Sequence, residues 1–238
     1  MRRPVVIDRA VSPTAARASV ALLGASLAAF VAVEAASGTL RVHAGELYPY
    51  RHLPGVPLVS PAWVVVEWCG ALLAAALLAS GRGVALAVRL AAVVACFSIS
   101  QRFGNARALL CIALVSLALA PPVAGRSPAF GLLRAQLLLV YTMSVVHKLR
   151  DGFLSSPGVA ALLGVDPAWD HALGVATLAA ELATPVALVF APRAGLALAL
   201  AMHAAFAACL PFVAPFSLVS LSLACLFVRP REVATTAS

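Results

Sequence analysis

The chain has 238 residues, 63% of them hydrophobic and 11% charged, with a mean hydropathy of +1.00. Soluble domains carry about 25% charged residues, so this composition excludes a soluble globular protein and indicates a polytopic membrane protein. The net charge of +8 does not indicate a nucleic-acid binder, because the arginines are scattered between apolar blocks and form no basic stripe. They read as residues that orient helices and meet anionic headgroups.

The N-terminal segment 1–17 is basic and precedes an apolar stretch over 18–37. About twenty apolar residues is long for a signal-peptide core, so an uncleaved first span is expected. Further windows near the length a bilayer requires fall at 61–80, 83–101, 107–123, 130–147, 171–191, 194–211 and 213–228. The expected fold class is all-α: a transmembrane helical bundle of about eight spans. Seven or nine spans are compatible with the prolines at Pro121–Pro122 and Pro211–Pro215, which interrupt or end helices. One transmembrane domain, 18–228, and a tail at 229–238 complete the expected organisation.

Two long loops fall on the side opposite the termini. The first, 38–60, is rich in Pro, Gly, Tyr and His and is expected to be ordered at the interface. The second, 148–169, contains PGVAALLG, too short to span, so an interfacial or re-entrant helix is expected near 157–164. Trp63 and Trp169 fall at the outer aromatic belt. With eight spans, one side receives Arg2, Arg3, Arg9, Arg17, Arg82, Arg89, Arg126, Arg134, Arg193, Arg229 and Arg231. The other receives Arg41, Arg51, Arg102, Arg107, Lys148 and Arg150. The positive-inside rule then makes both termini cytoplasmic in a plasma (inner) membrane.

Ionisable residues inside a span suggest function. Glu34 lies near the outer end of the first span, and Glu67 about two turns into the second, roughly 10 Å deep. Glu181 and His203 fall near mid-depth of sequential helices, so a buried hydrogen bond between them is expected, structural in role. The alternative for each carboxylate is pairing with an arginine, and for the histidine a bond to a backbone carbonyl. Lys148 is the only lysine among seventeen basic residues. Tyr141, Ser144 and Lys148 share one helical face, with Gln136 and His147 on an adjacent one. Such a polar stripe can line a cavity; otherwise Lys148 snorkels to phosphates at the helix end. The five cysteines, Cys69, Cys96, Cys111, Cys209 and Cys225, all fall in apolar segments and read as packing residues. Neither a disulfide framework nor a metal site is indicated.

Three blocks carry a resemblance to a known family. They are 134-RAQLLLVYTMSVVHKLRDGFLSSPGVAAL-162, the E-x-x-x-P helix and mid-membrane histidine within 180–227, and 101-QRFGNARALLCIALVSLAL-119. Together they resemble the membrane core, or HTTM domain, of the vitamin K-dependent γ-carboxylase-like proteins, over about half the chain. The resemblance implies that Lys148 is a base toward a quinol such as menaquinol, with His147 and Tyr141 beside it. Lysine suits that role because a desolvated neutral amine can accept a proton, as arginine cannot. Asn105 matches the family's asparagine loop, but Ala106 stands where the family has histidine, and Phe153 replaces its usual tryptophan. No counterpart of the family's large extramembrane domain is found, so glutamate carboxylation by this chain alone is not expected. Glu34, Glu67, Asn105 and Ser144 are the candidates for holding a cofactor. Two main readings follow: a quinol- or lipid-directed membrane enzyme of the lyase type, or a non-catalytic subunit that binds a lipid or a partner protein. A small transporter fits least, because the segments show no matching halves.

Overall fold

The computed structural model describes residues 10–45, 55–102, 104–122, 126–154 and 158–230. Residues of the first loop around Tyr48 to His52, the extreme N-terminus with Arg2, Arg3 and Arg9, and Arg231 lie outside the described residues. The described residues are mostly helical, with no strand among them: α1 (Pro13–Ala36), α2 (Thr39–His43), α3 (Pro61–Ser80), α4 (Val84–Gln101), α5 (Asn105–Leu119), α6 (Pro128–Arg150), α7 (Val159–Leu163), α8 (Asp170–Phe190), α9 (Pro192–Cys209) and α10 (Ala214–Cys225).

Proline sets several helix starts. Ser60-Pro61 and Ser127-Pro128 begin α3 and α6 with proline in the first turn, where its missing N–H costs nothing. At α6 the Ser127 hydroxyl also accepts a hydrogen bond from the Ala129 amide at 3.1 Å. Between α3 and α4 the chain reverses through Gly81 and Gly83, at φ +66° and +57°, a left-handed backbone that any side chain would strain. Gly195, at the start of α9, packs so tightly on the Ala187–Leu188 backbone of α8 that a Cβ there would collide with it.

Among the described residues six helices are long and apolar enough to cross a membrane: α1, α3, α4, α6, α8 with its preceding 3-10 turn, and α9. The chain is therefore a multi-pass integral membrane protein. The remaining two apolar helices are shorter than expected. Helix α5 has 15 residues and α10 has 12, about 22 and 18 Å of helix against a hydrocarbon core of about 30 Å. Pro121–Pro122 stop α5 at Leu119, whereas α10 begins at Ala214, after the Pro211–Val213 turn, and ends at Cys225, three residues before the expected end. At the N-terminus the first helix begins at Pro13, so the basic segment donates its last residues, Arg17 included, to α1. The second long loop contains the expected short helix, α7, whose first amides are held by a side chain beyond it. The Asp170 carboxylate accepts from Gly158 and Ala160 at 2.8 and 2.7 Å. The 38–60 loop opens with α2, an element the sequence did not announce.

The chain divides into two compact units. One draws on described residues within Met1–Ala18, Pro122–Ala201 and Leu223–Ser238, the other on Ser19–Pro121 and Met202–Ser222. Large apolar side chains such as Val66, Leu73, Leu86, Val93, Leu139 and Leu182 are exposed along the helices, the surface that a bilayer covers. Interiors are built from small residues: Ala71, Ala74, Ala87, Ala91 and Ala113 are buried. Gly24 of α1 lies against the Ala75 carbonyl of α3, the close approach that small residues allow in membrane bundles. With little apolar driving force inside lipid, serines join helices. Ser19 and Ser222 are 2.9 Å apart, and Ser26 donates to the Pro215 carbonyl at 3.1 Å.

Candidate functional site

In the unit formed by Ser19–Pro121 and Met202–Ser222, five helices bring their polar residues to one place. Glu34 comes from the end of α1, His43 from α2, Glu67 and Trp68 from α3, Ser98 from α4, and Arg102 and Arg107 from either side of the α4–α5 turn. Arg102 is 2% exposed, and its guanidinium forks between both carboxylates. Nε donates to Glu34 Oε1 at 2.8 Å, and Nη2 donates to Glu67 Oε1. Arg107 Nη2 also donates to Glu34 Oε1, its Nη1 donates to the Arg102 carbonyl at 3.3 Å, and its guanidinium lies 5.1 Å from the Phe30 ring centre. Trp68 Nε1 donates to Glu34 Oε2 at 2.7 Å.

His43 completes the shell. Its Nδ1 is 2.8 Å from the Val59 carbonyl, which can only accept, so Nδ1 carries the proton. Nε2 is then free to accept from Arg102 Nη1 at 3.4 Å, and the ring is neutral. The cluster therefore balances: two carboxylates against two guanidiniums, with no histidine charge. Two buried valences are left over, Glu67 Oε2 as an acceptor and Arg107 Nε as a donor, neither within hydrogen-bond geometry of a partner among the described residues. Both residues line a cavity of about 20 Å³ whose other walls are mainly apolar, among them Leu27, Phe30, Val31, Ala71 and Val94. A cavity holds a water at about 10–15 Å³, so there is room for one water-sized group.

The other unit holds a simpler cluster. The Lys148 ammonium of α6 donates to Glu181 Oε1 of α8, and the Ser144 hydroxyl donates to Glu181 Oε2 at 3.1 Å. The Glu181 side chain is 5% exposed and that of Lys148 25%. Lys148 also lies 5.3 Å from the Phe153 ring centre. Tyr141 is buried one turn before Ser144 on the same face. Pro185 has no N–H to give the Glu181 carbonyl, which loosens the ladder at that residue.

Of the residues singled out in the sequence, Lys148, Ser144 and Tyr141 do share a face, and Glu181 joins them. His147 and Asn105 are exposed and take part in neither cluster. Glu181 is engaged by α6, while His203 Nδ1 lies 3.2 Å from the Ser217 hydroxyl with Phe206 and Phe216 edge-on around its ring. Each has a partner within its own unit. Pairing with an arginine is the alternative that the sequence offers for Glu34 and Glu67, and Arg102 fills it. Arg107 and Arg134 are the residues that sequence reasoning missed: Arg107 counts there as a loop charge, yet it stands with Arg102 at the centre of the first cluster. Arg134 counts there as a headgroup-facing residue, yet it is 2% exposed and donates twice to the Leu226 carbonyl, at 2.9 and 2.7 Å.

The fold and these clusters define a multi-pass helical membrane protein with two buried charge centres. No family model, characterised protein or solved structure matches the chain.

Proposed function

We propose that this protein is a non-catalytic membrane subunit that holds the head of a neutral, hydroxyl-bearing lipid in the Glu34–Glu67–Arg102–Arg107 cluster. The observation that carries the reading is the pair of unused valences on one small cavity. Glu67 and Arg107 both line one water-sized space, and an unbonded acceptor on the first with an unbonded donor on the second suits a group that both donates and accepts, as a hydroxyl does. Because the cluster's own charges balance, a charged ligand would leave a net buried charge, and a neutral one does not. An isoprenoid quinol or alcohol meets the description, consistent with the resemblance to the γ-carboxylase membrane core. The Lys148 ion pair supports the non-catalytic half of the reading, since the amine is committed as the counter-charge of a buried carboxylate.

We also propose an eight-span arrangement in a plasma (inner) membrane, with cytoplasmic termini. The basic residues divide eleven to six in favour of the terminal side, the bias that the positive-inside rule calls for. A base role for Lys148 is the second reading, favoured by one observation: its side chain keeps 25% exposure and so remains reachable.

The test is mass spectrometry of lipids extracted from protein purified in nanodiscs. One hydroxyl-bearing lipid should be enriched over the bulk membrane in the wild type and lost in a Glu67→Gln, Arg107→Lys double variant that still folds. A wild-type profile indistinguishable from bulk lipid overturns the reading.

A further inference from the structure

Two free cysteines meet on the hairpin that carries the arginine pair. Cys96 of α4 and Cys111 of α5 have their Sγ atoms 3.5 Å apart, in van der Waals contact. Cys96 lies five residues before Gln101 and Cys111 six after Asn105, about 7.5 and 9 Å along their helices from the turn. The register of the hairpin thus sets the two thiols at one depth. Cys96 is exposed and Cys111 half-buried, so a reagent arriving from the lipid-facing side reaches Cys96 first.

We propose that Cys96 and Cys111 are a reversible dithiol–disulfide couple that locks the α4–α5 hairpin just below Arg102 and Arg107. The oxidant is an external organic disulfide. The Cys96 sulfur, after losing its proton, attacks one sulfur of that disulfide; a mixed disulfide forms and one external thiol leaves with a proton. Cys111 then loses its proton and attacks the Cys96 sulfur, forming the internal bond and releasing the second external thiol. Two S–H bonds and one external S–S bond break, one internal S–S bond and two external S–H bonds form, and two electrons pass to the external disulfide. The second step is intramolecular and needs the sulfurs to close from contact to about 2.05 Å, a rotation about the Cα–Cβ bonds. A dithiol reductant reverses the sequence. Arg102 and Arg107 flank the turn and both reach Glu34, so closing the bond fixes the spacing of the two helices that present them.

The experiment uses the full chain in nanodiscs, treated with dipyridyl disulfide and followed by intact mass and peptide mapping. The expected wild-type product is a Cys96–Cys111 crosslink, lighter by two hydrogens and retaining no pyridylthio group, and reversed by dithiothreitol. Cys96→Ser and Cys111→Ser should each keep one pyridylthio group on the remaining cysteine of the pair. Oxidation should raise the Tm of the wild type by roughly 5 °C or more and leave that of Cys96→Ser where it was. A wild type that retains a pyridylthio group on both Cys96 and Cys111 overturns the couple. A crosslink without a rise in Tm overturns the lock.

Discussion

Ser98 precedes Arg102 by four residues, and Ser144 precedes Lys148 by the same interval, so each charge centre presents a serine and a cation on one helical face. The centres differ in the cation. The Arg102 guanidinium has donors on three sides and ties Glu34, Glu67 and His43 together, whereas the Lys148 ammonium serves one carboxylate. Arg102 is almost fully buried between its carboxylates, while Arg107 at 19% and Lys148 at 25% keep some access to the surface. A planar fork can gather several buried groups but satisfies them unevenly, which leaves Glu67 Oε2 and Arg107 Nε over. At the lysine centre no buried polar atom of Lys148, Ser144 or Glu181 is left without a bond. The comparison separates a centre suited to receiving a ligand from one suited to fastening two helices.

The largest effect is expected where one side chain serves most partners. Arg102→Ala leaves two buried carboxylates with Arg107 alone and should cost about 3–5 kcal/mol, as breaking a buried ion pair does. Loss of monodisperse protein on size-exclusion chromatography, or a collapse of Tm, is the readout. Arg102→Lys should fall between wild type and alanine, because an ammonium keeps the charge but cannot span Glu34 and Glu67 together. If lysine restores wild-type stability, the fork is not what organises the cluster.

The second centre should respond asymmetrically. Lys148→Ala strands the Glu181 carboxylate, 5% exposed, with only Ser144 among its described partners, and should cost about 3 kcal/mol. Glu181→Gln keeps a partner for Ser144 and lets the partly exposed lysine turn toward headgroups, so about 1 kcal/mol is expected. Tm values of the two variants in nanodiscs decide it, and equal losses would contradict the reading of Lys148 as counter-charge. Lys148→Arg sharpens the point: it should preserve both stability and lipid retention. A stable Lys148→Arg protein that has lost its cellular function would instead restore the base role.

Much of this architecture was legible in the chain. Composition announced the membrane class, Pro61, Pro128 and Pro192 stand at helix starts, and the buried Glu34, Glu67 and Glu181 stood out as carboxylates inside apolar runs. What could not be read was rotation and partnership. Glu181 and His203 lie at similar depths by residue count. Depth does not say which way a nearly uniform Ala/Leu/Val helix faces, and Glu181 turned to α6. Arg102 lies 68 residues from Glu34, and an arginine at a helix end reads equally well as a topology signal or as a buried partner. The 15-residue α5 was legible in part: hydropathy alone carries its window to 123, while Pro121–Pro122, marked in the sequence as a helix end, stop it at Leu119.

The smallest test uses the two serines, which occupy equivalent positions and perform unequal work. Ser144 donates to Glu181 Oε2 at 3.1 Å, and the acceptor is a buried carboxylate, so the bond is charge-assisted. Ser98 meets Arg102 Nη2 at 3.4 Å, at the limit of useful distance, and that nitrogen already donates to Glu67. Ser144→Ala should therefore cost about 1 kcal/mol and Ser98→Ala less than about 0.5 kcal/mol. In a protein of this size 1 kcal/mol corresponds to about 2–4 °C in Tm, so the difference is within reach of a thermal melt with both variants side by side. Ser98 also lines the cavity. Its replacement should leave stability almost untouched while changing which lipid co-purifies, if that wall touches the ligand's head. Should Ser98→Ala prove the more destabilising of the two, the Arg102 cluster depends on its serine as the Lys148 pair does, and the distinction between a receiving centre and a fastening one does not hold.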